Sequence, residues 1–197
     1  FISAVLTWIR ESSADCFSCM KVTVVDGSDI RLEQQKQKIE MAHPDILGQI
    51  DFILLEQWLV QGGNLKNVIL FCNEFFDALP VHLIERGPEP NSSLHELFVT
   101  VDDDQNFQYK KQPLSNPEVI GHLDSLYEAD LVTNPVPSPG TRIEVNLEAC
   151  KVMSAITGIV ESGYIFVSDY GYITEELYAS WRTTGTLMAF RKQNVEH

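Results

Sequence analysis

The sequence predicts an α/β fold built on a largely parallel sheet and carrying an inserted antiparallel meander. Three observations predict it. Strand-like β-branched runs alternate with helix-like segments toward both ends of the chain, the rhythm of parallel strands joined by helices. After Pro80, successive strand-like runs are separated only by polar turns, as in antiparallel strands. Finally, 197 residues at 44% hydrophobic and 21% charged are enough for one domain with a real core and short for two. One domain over 1–197 is therefore expected, with a β-rich insertion at about 81–135.

Taken in order, residues 1–13 read as an amphipathic helix, and Lys21 to Val25 (KVTVV) as a short strand ending at Asp26-Gly27-Ser28. Asp29 to Ala42 reads as a helix with an aspartate or serine cap, stopped by His43-Pro44. Strands are expected at Asp51–Leu55 and Val68–Cys72, the second preceded by a Gly62-Gly63-Asn64 loop. The meander strands fall at Val81–Glu85, His95–Val101 and Phe107–Lys111, with turns at Pro88–Ser93 and Asp102–Asn106. Residues 117–127 form a short helix, and Thr133 to Gly140 is a proline-rich loop. The α/β rhythm resumes with a helix at Leu147–Glu161, a strand at Tyr164–Ser168 and a last strand at Thr186–Arg191.

Composition narrows the function classes. The net charge is −14, from 14 basic and 28 acidic residues. Such a surface repels phosphates and disfavours nucleic acid, and it suits a cationic partner such as a basic protein segment. No apolar run approaches the roughly 18–20 residues that span a bilayer, so no membrane partner is expected. The four cysteines do not make a disulfide framework in a chain of this size. Cys72 and Cys150 read as small core residues. Cys16 and Cys19 form a CxxC without the two further ligands a zinc site needs. Reduced thiols in a cytoplasmic compartment, and no metal, are the reading. The chain opens on Phe1 inside a helical pattern, without a basic start or a cleavage site, so the start reads as a cut through a longer protein.

Ligands of open parallel sheets bind beyond the carboxyl ends of the strands. Three expected strands end on polar residues: Val25 into Asp26, Cys72 into Asn73-Glu74, and Ser168 into Asp169-Tyr170. These exits are expected on one edge of the sheet. Asp26 closing the strand before Gly27 suits a ribose diol, as in nucleoside-cofactor binders. Its usual companion, a GxG turn one strand earlier, occurs nowhere in the chain. That leaves either no nucleoside cofactor or an earlier strand upstream of Phe1. There is no GxSxG, GxxxxGK or HExxH, and surface or turn positions explain the five histidines. Asp77 also reads as a cap for a short helix begun by Phe75-Phe76 and ended by Pro80. Gly171 reads as a turn glycine, and Phe75, Phe76 and Tyr172 as packing residues. Arg182 reads as a surface charge or a structural ion pair.

The block NEFFDALPV (Asn73–Val81), with IEVN (Ile143–Asn146), SDYGY (Ser168–Tyr172) and RTTGTLMAFRK (Arg182–Lys192), resembles the MidA-like family of methyltransferases. These comprise bacterial proteins and mitochondrial relatives linked to respiratory complex I assembly. VVDGS (Val24–Ser28) is similar to the family's acid-ending second strand, with Asp26 in place of the more usual glutamate. GTLM looks closer to the bacterial branch. The family's Gly-rich first motif is expected to precede Phe1 and a continuation to follow His197. RKQNVEH stands where the family has a basic, histidine-bearing stretch.

The resemblance implies a Rossmann-like class I methyltransferase sheet, truncated at both ends, and methyl transfer from S-adenosylmethionine. Some family members act on protein arginine, so a protein substrate is expected. On this reading Asp26, Gly27, Ser28 and Asn73 face the cofactor, with Asp26 on the ribose. Glu74, Asp77, Asp169 and Tyr170 line the acceptor side. Location would be cytoplasmic in a bacterium, mitochondrial in a eukaryote. Without the Gly-rich loop this chain is expected to bind cofactor poorly and to be inactive alone. The competing expectations are a non-catalytic assembly module that keeps the fold, and another nucleoside-cofactor enzyme such as a dehydrogenase.

Overall fold

The computed structural model describes residues 1–87, 93–128, 139–177, 179–191 and 194–196. They fall into two compact units. The first comprises Phe1–Lys66 and Ala155–Ser162; the second comprises Asn67–Ser154 and Gly163–His197.

In the first unit, α1 (Ile2–Ser12) and α2 (Ala14–Cys19) precede β1 (Val22–Asp26), then α3 (Asp29–Ala42), a 3-10 turn at Leu47–Gln49, β2 (Ile50–Leu54) and α4 (Leu55–Gln61). The single helix expected over 1–13 ends at Ser12 because Ser13 turns extended and caps α2, its side chain accepting from the Cys16 amide. α3 spans the expected residues. Ser28 caps it by accepting from the Arg31 amide, and it stops at His43, whose amide still reaches the Ile39 carbonyl. Pro44 bars a further turn. β1 and β2 pair in parallel, Asp26 lying opposite Leu54, so α3 is a crossover helix. Leu6, Val24, Leu32, Ile39, Ile46 and Ile50 form the core. α4 was not legible in the sequence, where Leu55 reads as the end of a strand. His43 corrects the surface reading of the histidines: it is 3% exposed, with Nε2 at 2.8 Å from Ser3 Oγ, so it ties α3 to α1.

The second unit carries β3 (Val68–Asn73), β4 (His82–Arg86), β5 (Leu94–Val101), β6 (Phe107–Pro113), α5 (Pro117–Glu128), β7 (Arg142–Val145), α6 (Leu147–Ile159), β8 (Gly163–Ser168), α7 (Thr174–Leu177), β9 (Ala189–Arg191) and β10 (Asn194–Glu196). The end of α6 is assigned to the first unit. β3 and β8 pair in parallel, Asn73 opposite Ser168. The meander is an antiparallel sheet of order β6-β5-β4-β7. The IEV run, not anticipated as a strand, is its edge β7. Ile84, Val119, Leu123, Ile143, Val145 and Leu147 form the core beneath α5, whose Val119 and Leu123 share a face at i, i+4 spacing. The turn at Pro88–Ser93 and the loop at Thr133–Gly140 lie mostly outside the described residues. Cys72 is buried as expected, but Cys150 is exposed on α6 and is not a core residue.

Gly163 shows why β8 begins where it does. Its φ is +140°, and a Cβ there would stand 2.0 Å from the Val68 carbonyl oxygen. Only glycine lets the two strands meet at that point.

Candidate functional site

The sequence-selected residues divide between the two units. Asp26, Gly27 and Ser28 lie in the first; Asn73, Glu74, Asp77, Asp169 and Tyr170 lie in the second.

At the β1 exit, Asp26 is oriented by its neighbours in α3 and the turn before it. Its Oδ1 accepts from the Ser28 amide at 3.0 Å and from Arg31 Nε at 2.9 Å, and its Oδ2 from Gln35 Nε2 at 2.9 Å. A Cβ at Gly27 would meet nothing within 4 Å, so space opens beside the carboxylate. A carboxylate at a strand end, beside an uncrowded glycine and a helix start, fits a ribose diol. Arg31 and Gln35 were not anticipated, because a partner five or nine residues further along the chain, inside the next helix, leaves no local pattern.

The paired exits of β3 and β8 bring the other five residues together. The Glu74 amide donates to the Ser168 carbonyl at 2.8 Å, prolonging the ladder by one bond. Glu74 itself has φ 45°, the left-handed region that costs a side-chain-bearing residue roughly 1–2 kcal/mol. Such strain gathers at functional sites. The chain then turns rather than forming the short helix expected from Phe75-Phe76, with the Leu79 amide bonded to the Phe76 carbonyl. Asp77 is therefore no helix cap. Asp169 holds this turn from the other strand: Oδ2 accepts from the Phe76 amide at 3.0 Å and the Asp77 amide at 3.2 Å, and Oδ1 from the Tyr170 amide at 3.0 Å. The Tyr170 hydroxyl donates to the Asp77 carboxylate, whose charge, joined by Glu74 and Asp169, pushes the phenol up to about 12.

Asn146, quoted in the IEVN block but not singled out, completes the anchorage. Its Nδ2 donates to the Phe76 carbonyl at 3.0 Å, and its Oδ1 caps α6 through the Ala149 amide at 2.8 Å. An asparagine before a helical run was the available signal. Glu144 joins the IEVN and GTLM blocks, accepting from the Thr186 amide at 2.6 Å and the Leu187 amide at 3.2 Å. Arg182 makes no ion pair among the described residues. Its guanidinium lies 3.9 Å from the Tyr172 ring centroid and 4.7 Å from that of Trp181, and its Nε donates to the Glu176 carbonyl, a cation–π arrangement. Gly171 has open space around it and no positive φ. Among the described residues, no group of three or more His, Cys, Asp or Glu is placed to hold a metal ion, and no helix is long and apolar enough to cross a membrane.

Parallel strand pairs joined by helices, acids at their exits and an antiparallel sheet define a mixed α/β protein. A model of the family described as "Putative S-adenosyl-L-methionine-dependent methyltransferase" matches residues 1–197. The chain belongs to this family of S-adenosylmethionine-dependent methyltransferases, the MidA-like family that its motifs resemble. It is similar in fold to a crystal structure of a COG1565 superfamily member from Burkholderia thailandensis bound to S-adenosyl-homocysteine. That match has TM-score 0.75 and 20% identity, over 98% of this chain and 45% of that one. A native crystal structure of a COG1565 superfamily protein from the same organism matches with TM-score 0.68 and 20% identity, over 89% of this chain and 42% of that one. The chain thus spans less than half the length of either. No curated protein matches it.

Proposed function

We propose that this protein transfers a methyl group from S-adenosylmethionine to a protein side chain, arginine being the favoured acceptor. The cofactor supplies the sulfonium methyl; what remains is to hold donor and nucleophile in line. The observation that carries the reading is the acidic nest at the β3 and β8 exits. A guanidinium stays protonated near neutral pH and needs carboxylates to orient it. Glu74 and Asp77 would supply them. Asp169, whose two oxygens are taken by three backbone amides, acts by positioning the turn rather than by meeting the acceptor. Asp26 would hold the ribose and Asn73 would flank the donor. The net charge of −14 supports a basic protein partner over nucleic acid. The four free cysteines fit a reducing compartment, such as a bacterial cytoplasm.

Calorimetric titration of the complete polypeptide with S-adenosylhomocysteine tests the cofactor half of the reading: binding is expected, and Asp26→Ala weakens it. Glu74→Gln tests the other half. It should lower methyl transfer to a basic protein acceptor by roughly a hundredfold, the scale of a lost orienting contact, and leave S-adenosylhomocysteine affinity unchanged. Full activity in Glu74→Gln removes Glu74 from the acceptor site. Absence of cofactor binding by the complete polypeptide turns the assignment to a non-catalytic assembly module.

A further inference from the structure

The acceptor positions on Asp26 can be counted. A carboxylate offers about four lone-pair positions, two on each oxygen. Oδ1 uses both of its own, on the Ser28 amide and on Arg31 Nε, and Oδ2 uses one, on Gln35 Nε2. A single position remains, whereas a ribose diol that donates through both hydroxyls needs two. One present partner must leave. The Ser28 amide is backbone at the start of α3, in the residue that caps the helix, and cannot withdraw without unwinding it. Gln35 is half-buried one turn further along the helix than Arg31. The Arg31 side chain is 62% exposed against 16% for Asp26. It alone reaches the carboxylate from solvent, and water replaces its contact at little cost.

We propose that Arg31 is a built-in competitor for the ribose site: nucleoside binding at Asp26 displaces the Arg31 guanidinium, while Ser28 and Gln35 keep the carboxylate plane aimed at the diol. Asp26 then has a neutralised resting state and a ligand-bound state, and Arg31 lowers the affinity for the ribose specifically. The proposal rests on the reading of Asp26 as the ribose ligand. Gln35 is a positioning residue in this scheme and Arg31 a specificity-determining one.

The test uses two neutral probes, adenosine and 2′,3′-dideoxyadenosine, titrated into the complete polypeptide by ligand-observed NMR. Neither probe carries a charge that Arg31 would attract or repel directly. Arg31→Ala should tighten adenosine by about two- to fivefold, the range set by an exposed ion pair, and leave dideoxyadenosine unchanged. Raising the salt concentration should tighten adenosine in the wild type by screening the pair, and have no such effect in Arg31→Ala. Gln35→Leu should weaken adenosine and spare dideoxyadenosine. A shift of both nucleosides together in Arg31→Ala, or no shift of either, overturns the competition while leaving Asp26 in place. If Asp26→Ala binds adenosine as well as the wild type does, the ribose reading falls and the competition with it. Because Arg31 is exposed, its variant is expected to fold, and an unchanged melting curve shows that it has.

Discussion

Glu74 holds a left-handed backbone, φ 45°, at the place where β3 gives way to the turn that Asp169 anchors. Glycine adopts that conformation without the steric cost. Glu74→Gly should therefore stabilise the fold by about 1 kcal/mol, seen as a raised urea midpoint at unchanged slope, while the proposed methyl transfer falls with the loss of the carboxylate. A decrease in stability would mean that the Glu74 side chain, not the backbone, holds the strand exit. Tyr170 makes a second prediction. Its hydrogen bond to Asp77, and the charge of Asp77 with those of Glu74 and Asp169, raise its pKa from 10.0 to about 12. The protonated phenol is the form that the fold favours. Its stabilising contribution is whole below pH 10, the unfolded value, and disappears as pH rises toward 12. Ultraviolet titration of the wild type against Tyr170→Phe should assign to Tyr170 a phenol ionising near pH 12, and Asp77→Asn should lower that pH. If Asp77→Asn leaves it unchanged, Tyr170 and Asp77 are not paired.

The element whose integrity matters most to the proposed acceptor side is the β3–β8 pair, since its register sets Asn73 beside Ser168. Gly163→Ala would drive a Cβ to within 2.0 Å of the Val68 carbonyl oxygen at φ +140°. Backbone cannot give way as a side chain can, so a loss of about 3 kcal/mol or more is expected. Gly185→Ala is a milder version of the same experiment. Its φ is +80°, and its Cβ would stand 2.2 Å from Glu144 Oε1, an atom that can move only by releasing the Thr186 and Leu187 amides. Faster hydrogen exchange at those two amides, with the β3–β8 amides unaffected, is the expected signature. Unchanged exchange at Thr186 would show that Glu144 does not anchor the GTLM block. Of these strands, β3 and β8 were legible from their β-branched and aromatic runs. β7 was not, because four residues between a turn and a helix give too short a run to read as a strand.

Across the whole molecule, 28 acidic residues against 14 basic ones create a field that draws cations and that salt screens over about 8 Å at physiological ionic strength. Affinity for the proposed basic acceptor peptide should therefore fall severalfold between low and physiological salt, mostly through a slower association rate. Salt-independent binding would point instead to apolar contacts. Surface is available for those as well. Ile69, Phe71, Tyr164 and Phe166 are between 50% and 70% exposed, and their register puts Ile69 opposite Tyr164 and Phe71 opposite Phe166 on one face of the β3–β8 pair.

By itself the sequence determined most of the elements and the chemistry carried at their ends. β1, α3, β3, α5, α6 and β8 follow from periodicity, caps and proline stops, all of which act within a few residues. The acids and the asparagine at the strand exits follow from reading where each strand ends. What only the tertiary structure decided is how those groups are used. Asp169 binds the amides of Phe76 and Asp77 across 93 and 92 residues, and Glu144 binds the Thr186 amide across 42. Asp26 is already partnered by Arg31 and Gln35. The physical reason is one of range. Propensity and capping are set by neighbours along the chain, whereas a hydrogen bond between distant segments depends on strand register and on where a turn places its amides. Those are fixed by packing of the whole unit, and no local window of sequence contains them.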